Sequence, residues 1–355
     1  MTRPPIVIAG VGQVGPVAQD SRSIAEFVLE AVEMALDDAG ITHRHVEAVV
    51  TASVDLLDGL TASNIAVTEV VDAVMKPETR VSMDGLAAAI HAACQIRAGA
   101  YETVLVVAHA KPSMAPYEDL SQWAMDPIYL QPLGIDFLVC AALQAQAIAN
   151  GDGAAERRWA EIAATRRTDA RPGLCPPLGA DDVLASPVVA SPLRREMCAP
   201  MGDGACAAIL QAVTDRNMTK TAPRITGLGH DLAPHSLGDR EIRAWQGLKR
   251  ASKRAYAMAG INTPQSAFDL VEPSCLYPHE EELFRSATGI GDQARFSPTG
   301  GLFAGHTPVV AGLSRLVAAC SAMRADDSCK RALAHGAWGP AGQGQAVMIL
   351  ETGER

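Results

Sequence analysis

The sequence predicts a layered α/β fold of two similar halves, and three observations carry that expectation. Short apolar runs alternate with segments of helical spacing, the pattern of sheets packed against helices. The opening run PIVIAGVG is echoed by PRITGLG at residues 223–229, so a second pass through the same architecture starts past the middle. With 355 residues the chain exceeds one ordinary domain and suits two halves, expected at residues 1–215 and 216–355.

Residues 5–9 form a short buried strand ended by glycines. Over residues 21–39, Ile24, Phe27, Val28, Val32, Ala35 and Leu36 recur at helical spacing, with Asp20 or Ser21 able to cap the helix and Gly40 able to stop it. A strand at 46–51, a small-residue helix at 86–97 and, after Gly99, an apolar strand at 103–108 follow. Residues from about 111 to 200 are rich in proline and irregular, with one clear helix at about 138–149, and read as a loop insertion over a site. A strand within 202–210 closes the first half. The second half offers strands at 223–229, 269–272 and 346–350 and a helix at 308–323.

Composition excludes several classes of function. The formal charge of −10 argues against a nucleic-acid partner, which needs a basic face. Eight cysteines are scattered without a CxxC pair, so reduced and mostly buried thiols are expected, and no metal site. No apolar run reaches membrane-spanning length and no signal-peptide pattern opens the chain, so a cytoplasmic protein without a membrane partner is expected. Gly10-Val11-Gly12-Gln13-Val14-Gly15 has the spacing of a dinucleotide fingerprint. Pro16 follows it, however, and the next strand ends Val50-Thr51-Ala52 with no acidic residue, so only a glycine turn is expected there, and no cofactor.

Four segments together resemble the thiolase superfamily, above all its sterol-carrier and lipid-transfer branch. They are IAGVGQVG near the start, SPVVASPLRREMCAPMGDGACAAIL at 186–210, SPTGGLFAGHTPVVAGLSRLVAAC at 297–320, and the closing ALAHGAWGPAGQGQAVMILE. They span nearly the whole chain in the family's order. The resemblance implies the thiolase fold: five αβαβα layers, two pseudo-duplicated halves and an inserted loop domain. It further implies a homodimer and a pocket for acyl-CoA.

The site residues follow from the same resemblance. The family sets its nucleophilic cysteine at the start of a buried helix, where the helix field favours a thiolate. Here that position falls on Ser82, in Ser82-Met83-Asp84-Gly85. A serine without an adjacent base is a poor acyl acceptor, and Ser82 and Asp84 also fit a helix cap. His306 matches the family's active-site histidine, with Gly301 and Gly305 in the glycine-rich turn before it. A neutral imidazole there can donate to a thioester oxygen or enolate. In the next polar loop Ser274 stands where relatives carry histidine, and Cys275 or Tyr277 can face the pocket; a tyrosine serves as acid/base in the aldolase-like relatives. His279 with Glu280, Glu281 and Glu282 reads as an exposed acidic first turn, not a metal site. In the last loop His335 is the titratable residue nearest the place where relatives carry a second cysteine.

Three functions remain open on these residues. The first is cleavage or formation of a carbon–carbon bond beside a CoA thioester without an acyl-enzyme, as in the aldolase-like relatives, which pair with a zinc-ribbon/OB-fold companion. The second is a conventional acetyl-CoA acyltransferase. The third is a catalytically silent subunit that partners an active thiolase.

Overall fold

The computed structural model describes residues 4–59, 62–114, 116–170, 172–213 and 222–352. The expected boundary between the halves, at 215/216, lies outside the described residues. In chain order the first half runs β1 (Ile6–Val17), α1 (Ile24–Ala39), β2 (Ala48–Ala52), α2 (Asp55–Asp58), β3 (Glu78–Val81), α3 (Gly85–Arg97) and β4 (Thr103–Ala110). The insertion holds α4 (Tyr117–Trp123), α5 (Phe137–Ala149), α6 (Ala155–Asp169), α7 (Ala180–Ala185), β5 (Val188–Ala190) and β6 (Leu193–Arg194), and β7 (Asp203–Ala212) follows it. The second half runs β8 (Arg224–Leu232), α8 (Gln246–Ala259), β9 (Leu270–Glu272), α9 (Pro278–Thr288), β10 (Arg295–Phe296), α10 (Ala311–Ala325), β11 (Arg331–Trp338) and β12 (Gly344–Glu351).

The strand order shows the duplication. Read outward from the middle, one half is β1-β7-β4-β2-β3 and the other β8-β12-β11-β9-β10, the same order of equivalent strands. The halves join through a short antiparallel contact, Ile6 opposite Ile225 and Val7 opposite Arg224. Between them lie α3 and α10, whose small apolar side chains form the central core with Ala48, Val50, Val104 and Val106 from one half and Leu270, Ala332, Ala334 and Met348 from the other. Helix α1 covers the outer face of the first half, and α8 with α9 covers the second. These are the five layers expected.

Two local expectations change. The glycines of Gly10-Val11-Gly12 lie inside a 12-residue strand rather than in a turn after a short one. They are glycines because α1 lies so close: a Cβ on Gly10 would sit 2.1 Å from the Ala35 carbonyl oxygen, and one on Gly12 2.1 Å from that of Ala31. The cap of α1 is Ser23, not Asp20 or Ser21; its hydroxyl accepts from Glu26 N while the Glu26 carboxylate accepts from Ser23 N. Gly40 does end the helix, in the left-handed conformation at φ 64°.

The insertion is more ordered than its composition implies. Besides α5 it contains α4, α6 and α7, and Trp159, Ala163, Val183, Leu193 and Met197 give it a core that Phe303 joins. Helix α6 lies on α9: Trp159 Nε1 donates to Glu282, and Arg166 pairs with Glu281 at 2.7 Å. Among the described residues no helix is long and apolar enough to cross a membrane.

Candidate active site

The starts of α3, α9 and α10 converge on one cavity of about 930 Å³. Its wall includes Ser82, Met83 and Asp84 before α3, His306 before α10, Ser274, Tyr277 and Glu280 around the start of α9, and Ala337 to Gly339 at the end of β11. The insertion closes the rest with apolar side chains such as Leu120, Phe137 and Leu138. Among the described residues no lysine or arginine lines it, whereas Asp84, Glu118, Asp136 and Glu280 do.

His306 is stitched to the strand segment that ends the insertion. Its N–H donates to Pro200 O at 2.7 Å, its carbonyl accepts from Gly202 N at 2.9 Å, and Thr307 Oγ1 donates to Gly202 O. Gly305 ahead of it has φ 152°, and a Cβ there would meet Pro16 Cγ at 2.2 Å, so Gly305 shapes this turn and does not line the cavity. Burial, with the nearby Arg315 guanidinium adding to it, pushes the His306 imidazole down to about 3. The ring is therefore neutral at physiological pH, and its Nδ1 is buried without a partner among the described residues.

Asp84, rather than Ser82, begins α3. Its Oδ1 accepts from Leu86 N at 2.8 Å and caps that helix. Its Oδ2 accepts from Gly312 N at 2.8 Å in the first turn of α10, so one carboxyl ties the two central helices together. Space for it exists because glycines surround it: a Cβ on Gly312 would lie 1.9 Å from Asp84 Oδ1, and one on Gly336 2.3 Å from it. Desolvation raises this carboxyl to about 7 against those two backbone donors. Ser82 stands exposed on the cavity wall three residues ahead of the helix.

Other expected site residues lie elsewhere. His335 is fully buried on the far side of β11: its Nδ1 accepts from Ser274 N at 3.2 Å, and its Nε2 meets Gln345 Oε1 at 2.7 Å. Neither nitrogen is free, and burial holds the ring down at about 4. Cys275 belongs to the outer core with Phe284 and Leu333, and Gly301 lies in a buried turn; neither lines the cavity. His279, Glu280 and Glu281 are buried, not exposed; α6 covers His279 with Trp159 and Glu281 with Arg166. His279 stacks near Tyr277 and Trp159, each ring centroid 5.8 Å away. Among the described residues no cluster of three or more His, Cys, Asp or Glu is placed to hold a metal ion.

Sequence reasoning passed over one carboxyl of the cavity wall. Glu280 lies on the cavity wall only 5% exposed, and its Oε2 accepts from Leu276 N at 2.6 Å and Tyr277 N at 3.3 Å. Burial lifts its carboxyl to about 8. The signal available was a proline at the first helical position followed two residues on by a glutamate, a capping pattern that places this side chain back over the turn.

The fold and this arrangement define a thiolase-fold protein. No protein-family model matches the chain, and neither does any curated protein. Among solved structures the chain is similar to human mitochondrial 3-ketoacyl-CoA thiolase, at 15% identity over 98% of this chain and 99% of that one, with a TM-score of 0.80. It is similar to an Ltp2-ChsH2(DUF35) aldolase at 18% identity over all of both chains, TM-score 0.80. A monomeric SCP2-thiolase like protein type 1 from Mycobacterium smegmatis is similar at 21% identity, over 100% of this chain and 79% of that one, TM-score 0.78. At such identities the likeness is one of fold.

Proposed function

We propose that the protein binds an acyl-CoA in this cavity and makes or breaks a carbon–carbon bond beside the thioester without forming an acyl-enzyme. One observation carries the reading: the start of α3 holds serine and a carboxylate, and that carboxylate already occupies the helix amide at Leu86. A thiolate would need that positive helix end; an aldol-type reaction does not. Such a reaction needs a donor for the enolate oxygen, and the neutral His306 supplies one. In cleavage of a β-hydroxyacyl-CoA the hydroxyl proton leaves to a base and the Cα–Cβ pair moves onto the thioester as an enolate. The β-carbon becomes a carbonyl, and the α-carbon then takes up a proton. Tyr277, whose phenol burial pushes well above its ordinary range, stays protonated and can hold the β-hydroxyl by hydrogen bonding.

The described lining has no lysine or arginine, so the diphosphate end of CoA belongs outside and the uncharged pantetheine arm and acyl group inside. A homodimer and a zinc-ribbon/OB-fold companion are part of the proposal; the relative named as an aldolase carries a second named component, ChsH2(DUF35). Purified protein, with and without such a companion, is to be incubated with β-hydroxy- and β-ketoacyl-CoAs. Release of an aldehyde or ketone with a shortened acyl-CoA is expected. Absence of turnover with every thioester removes the lyase reading and leaves the silent subunit. An acetyl adduct on Ser82 by mass spectrometry after acetyl-CoA treatment replaces it with the acyltransferase.

A further inference from the structure

We propose that Glu280 is the acid–base residue that exchanges the proton with the ligand in this cavity; the reaction it serves rests on the lyase reading above. Three consecutive glutamates open α9, and two of them are committed to the insertion. Glu281 pairs with Arg166 at 2.7 Å, and Glu282 lies 3.5 Å from Arg158 and accepts from Trp159 Nε1. Glu280 alone of the three lines the cavity and, among the described residues, has no ion-pair partner. Its Oε2 is fixed by the amides of Leu276 and Tyr277, whereas its Oε1 accepts no hydrogen bond among the described residues and is not sealed in the core. A carboxyl anchored by one oxygen and open through the other is built to give and take a proton.

The other groups weighed for this role are each less suited. Asp84 uses both oxygens on backbone amides. Asp136, which accepts Val139 N at 2.7 Å as the cap of α5, is only half-buried, and Glu118 is exposed to solvent, so neither carboxyl is desolvated as Glu280 is. His306 is too weak a base, His335 lies behind Ser274 with both nitrogens engaged, and the Tyr277 phenol is held protonated. In the cleavage direction the Glu280 carboxylate takes the β-hydroxyl proton as the Cα–Cβ bond breaks. The resulting carboxylic acid returns that proton to the α-carbon of the enolate, so no external acid or oxidant is needed. Burial raises the carboxyl to about 8, which makes the base form scarce at neutral pH and the acid form a ready donor for the return step.

Glu280→Gln keeps an acceptor for the two amides and removes the titrating proton. With a β-hydroxyacyl-CoA that the wild type cleaves, kcat is expected to fall about 100-fold or more with KM changed less than about threefold. Wild-type kcat/KM is expected to rise about tenfold per pH unit and level off near 8, and this limb disappears in Glu280→Gln while Glu280→Asp retains it in weakened form. Retention of rate and limb by Glu280→Gln overturns the assignment. A second readout needs no turnover: the infrared band of a protonated carboxyl at pH 7, lost in Glu280→Gln, is expected to shift when a non-hydrolysable thioether analogue of an acyl-CoA binds. A shifted band with no turnover of any thioester sinks the lyase reading and keeps Glu280 as the proton-bearing ligand contact. A bound analogue with an unmoved band overturns Glu280 itself.

Discussion

Asp84 and Glu280 share burial, a helix start and a place on the same cavity wall, and they differ in what the second oxygen meets. Both oxygens of Asp84 accept backbone amides, from α3 and from α10, so its carboxyl spans the two central helices. Glu280 spends one oxygen on the amides of Leu276 and Tyr277, just ahead of α9, and leaves the other toward the cavity. Both carboxyls are raised, to about 7 and about 8, so a perturbed pKa by itself does not separate brace from acid. The number of oxygens engaged does: two in Asp84 and one in Glu280.

The largest test of this contrast removes the brace. Asp84→Ala leaves the N–H groups of Leu86 and Gly312 without their acceptor in the core, and is expected to cost about 4 kcal/mol of unfolding free energy. Glu280→Gln is expected to cost less than about 1 kcal/mol, since its amide oxygen still accepts. Urea unfolding of the two variants reads the difference. Equal losses would erase the distinction.

Titration sharpens it further. A carboxyl raised in the folded state binds its proton more tightly there, so stability is greatest below the unfolded pKa and falls as pH rises through the folded value. For Asp84 the window runs from 3.8 to about 7 and for Glu280 from 4.5 to about 8, each with a loss on the order of 4 to 5 kcal/mol if the shifts are fully expressed. Buried neutral imidazoles, His306 and His335 among them, add stability as pH rises towards 6.5, so each carboxyl is read as a variant-minus-wild-type difference. Relative to the wild type, Asp84→Asn is expected to gain stability as pH rises from 3.8 to about 7, and Glu280→Gln as it rises from 4.5 to about 8. A difference that does not change with pH across its window contradicts the assignment for that carboxyl.

A smaller effect probes the space around the brace. Gly312→Ala would put a Cβ 1.9 Å from Asp84 Oδ1, and the overpacking is expected to cost about 2 kcal/mol, read as a lowered urea midpoint. In Asp84→Ala the same glycine change is expected to cost less, because the clashing oxygen is gone while the Gly336 Cα, 2.8 Å from the added Cβ, still crowds it.

The sequence carried the layers and the order of elements, since alternation of apolar runs and helical spacing is a local signal. It misplaced groups whose surroundings are set from a distance. Gly10 and Gly12 read locally as a turn, and only the approach of Ala31 and Ala35 on α1 explains why a straight strand carries them. Helix α6 is strongly charged, so nothing local announces that it packs on α9 and covers His279 and Glu281. His335 illustrates the period of two along a strand. Ala334 and Gly336 face the central helices, and His335, one residue over, faces the outer layer with Leu333. The motif that located the last loop was legible, and the face of the strand was not.

That placement makes His335 a third case in the comparison, and the mildest perturbation tests it. Like Asp84 it has both polar atoms engaged, at Ser274 N and Gln345 Oε1, and rings of Trp245 and Phe284 pack on it with centroids 5.8 and 5.1 Å away. Gln345 in turn donates to Gly342 O, so the chain of bonds holds two cavity-lining segments, at Ser274 and Gly342, in register. A group used this way supports the site's shape without exchanging protons with what binds there. His335→Leu, which fills much of the ring's volume, is expected to cost about 1 kcal/mol for the unpaired Ser274 N–H and the freed Gln345 carboxamide. It should weaken acyl-CoA binding while leaving the pH limb near 8 in place. If the limb vanishes in His335→Leu and survives in Glu280→Gln, the proton belongs to the histidine, and the rule that fully bonded groups brace while half-bonded groups react fails in this cavity.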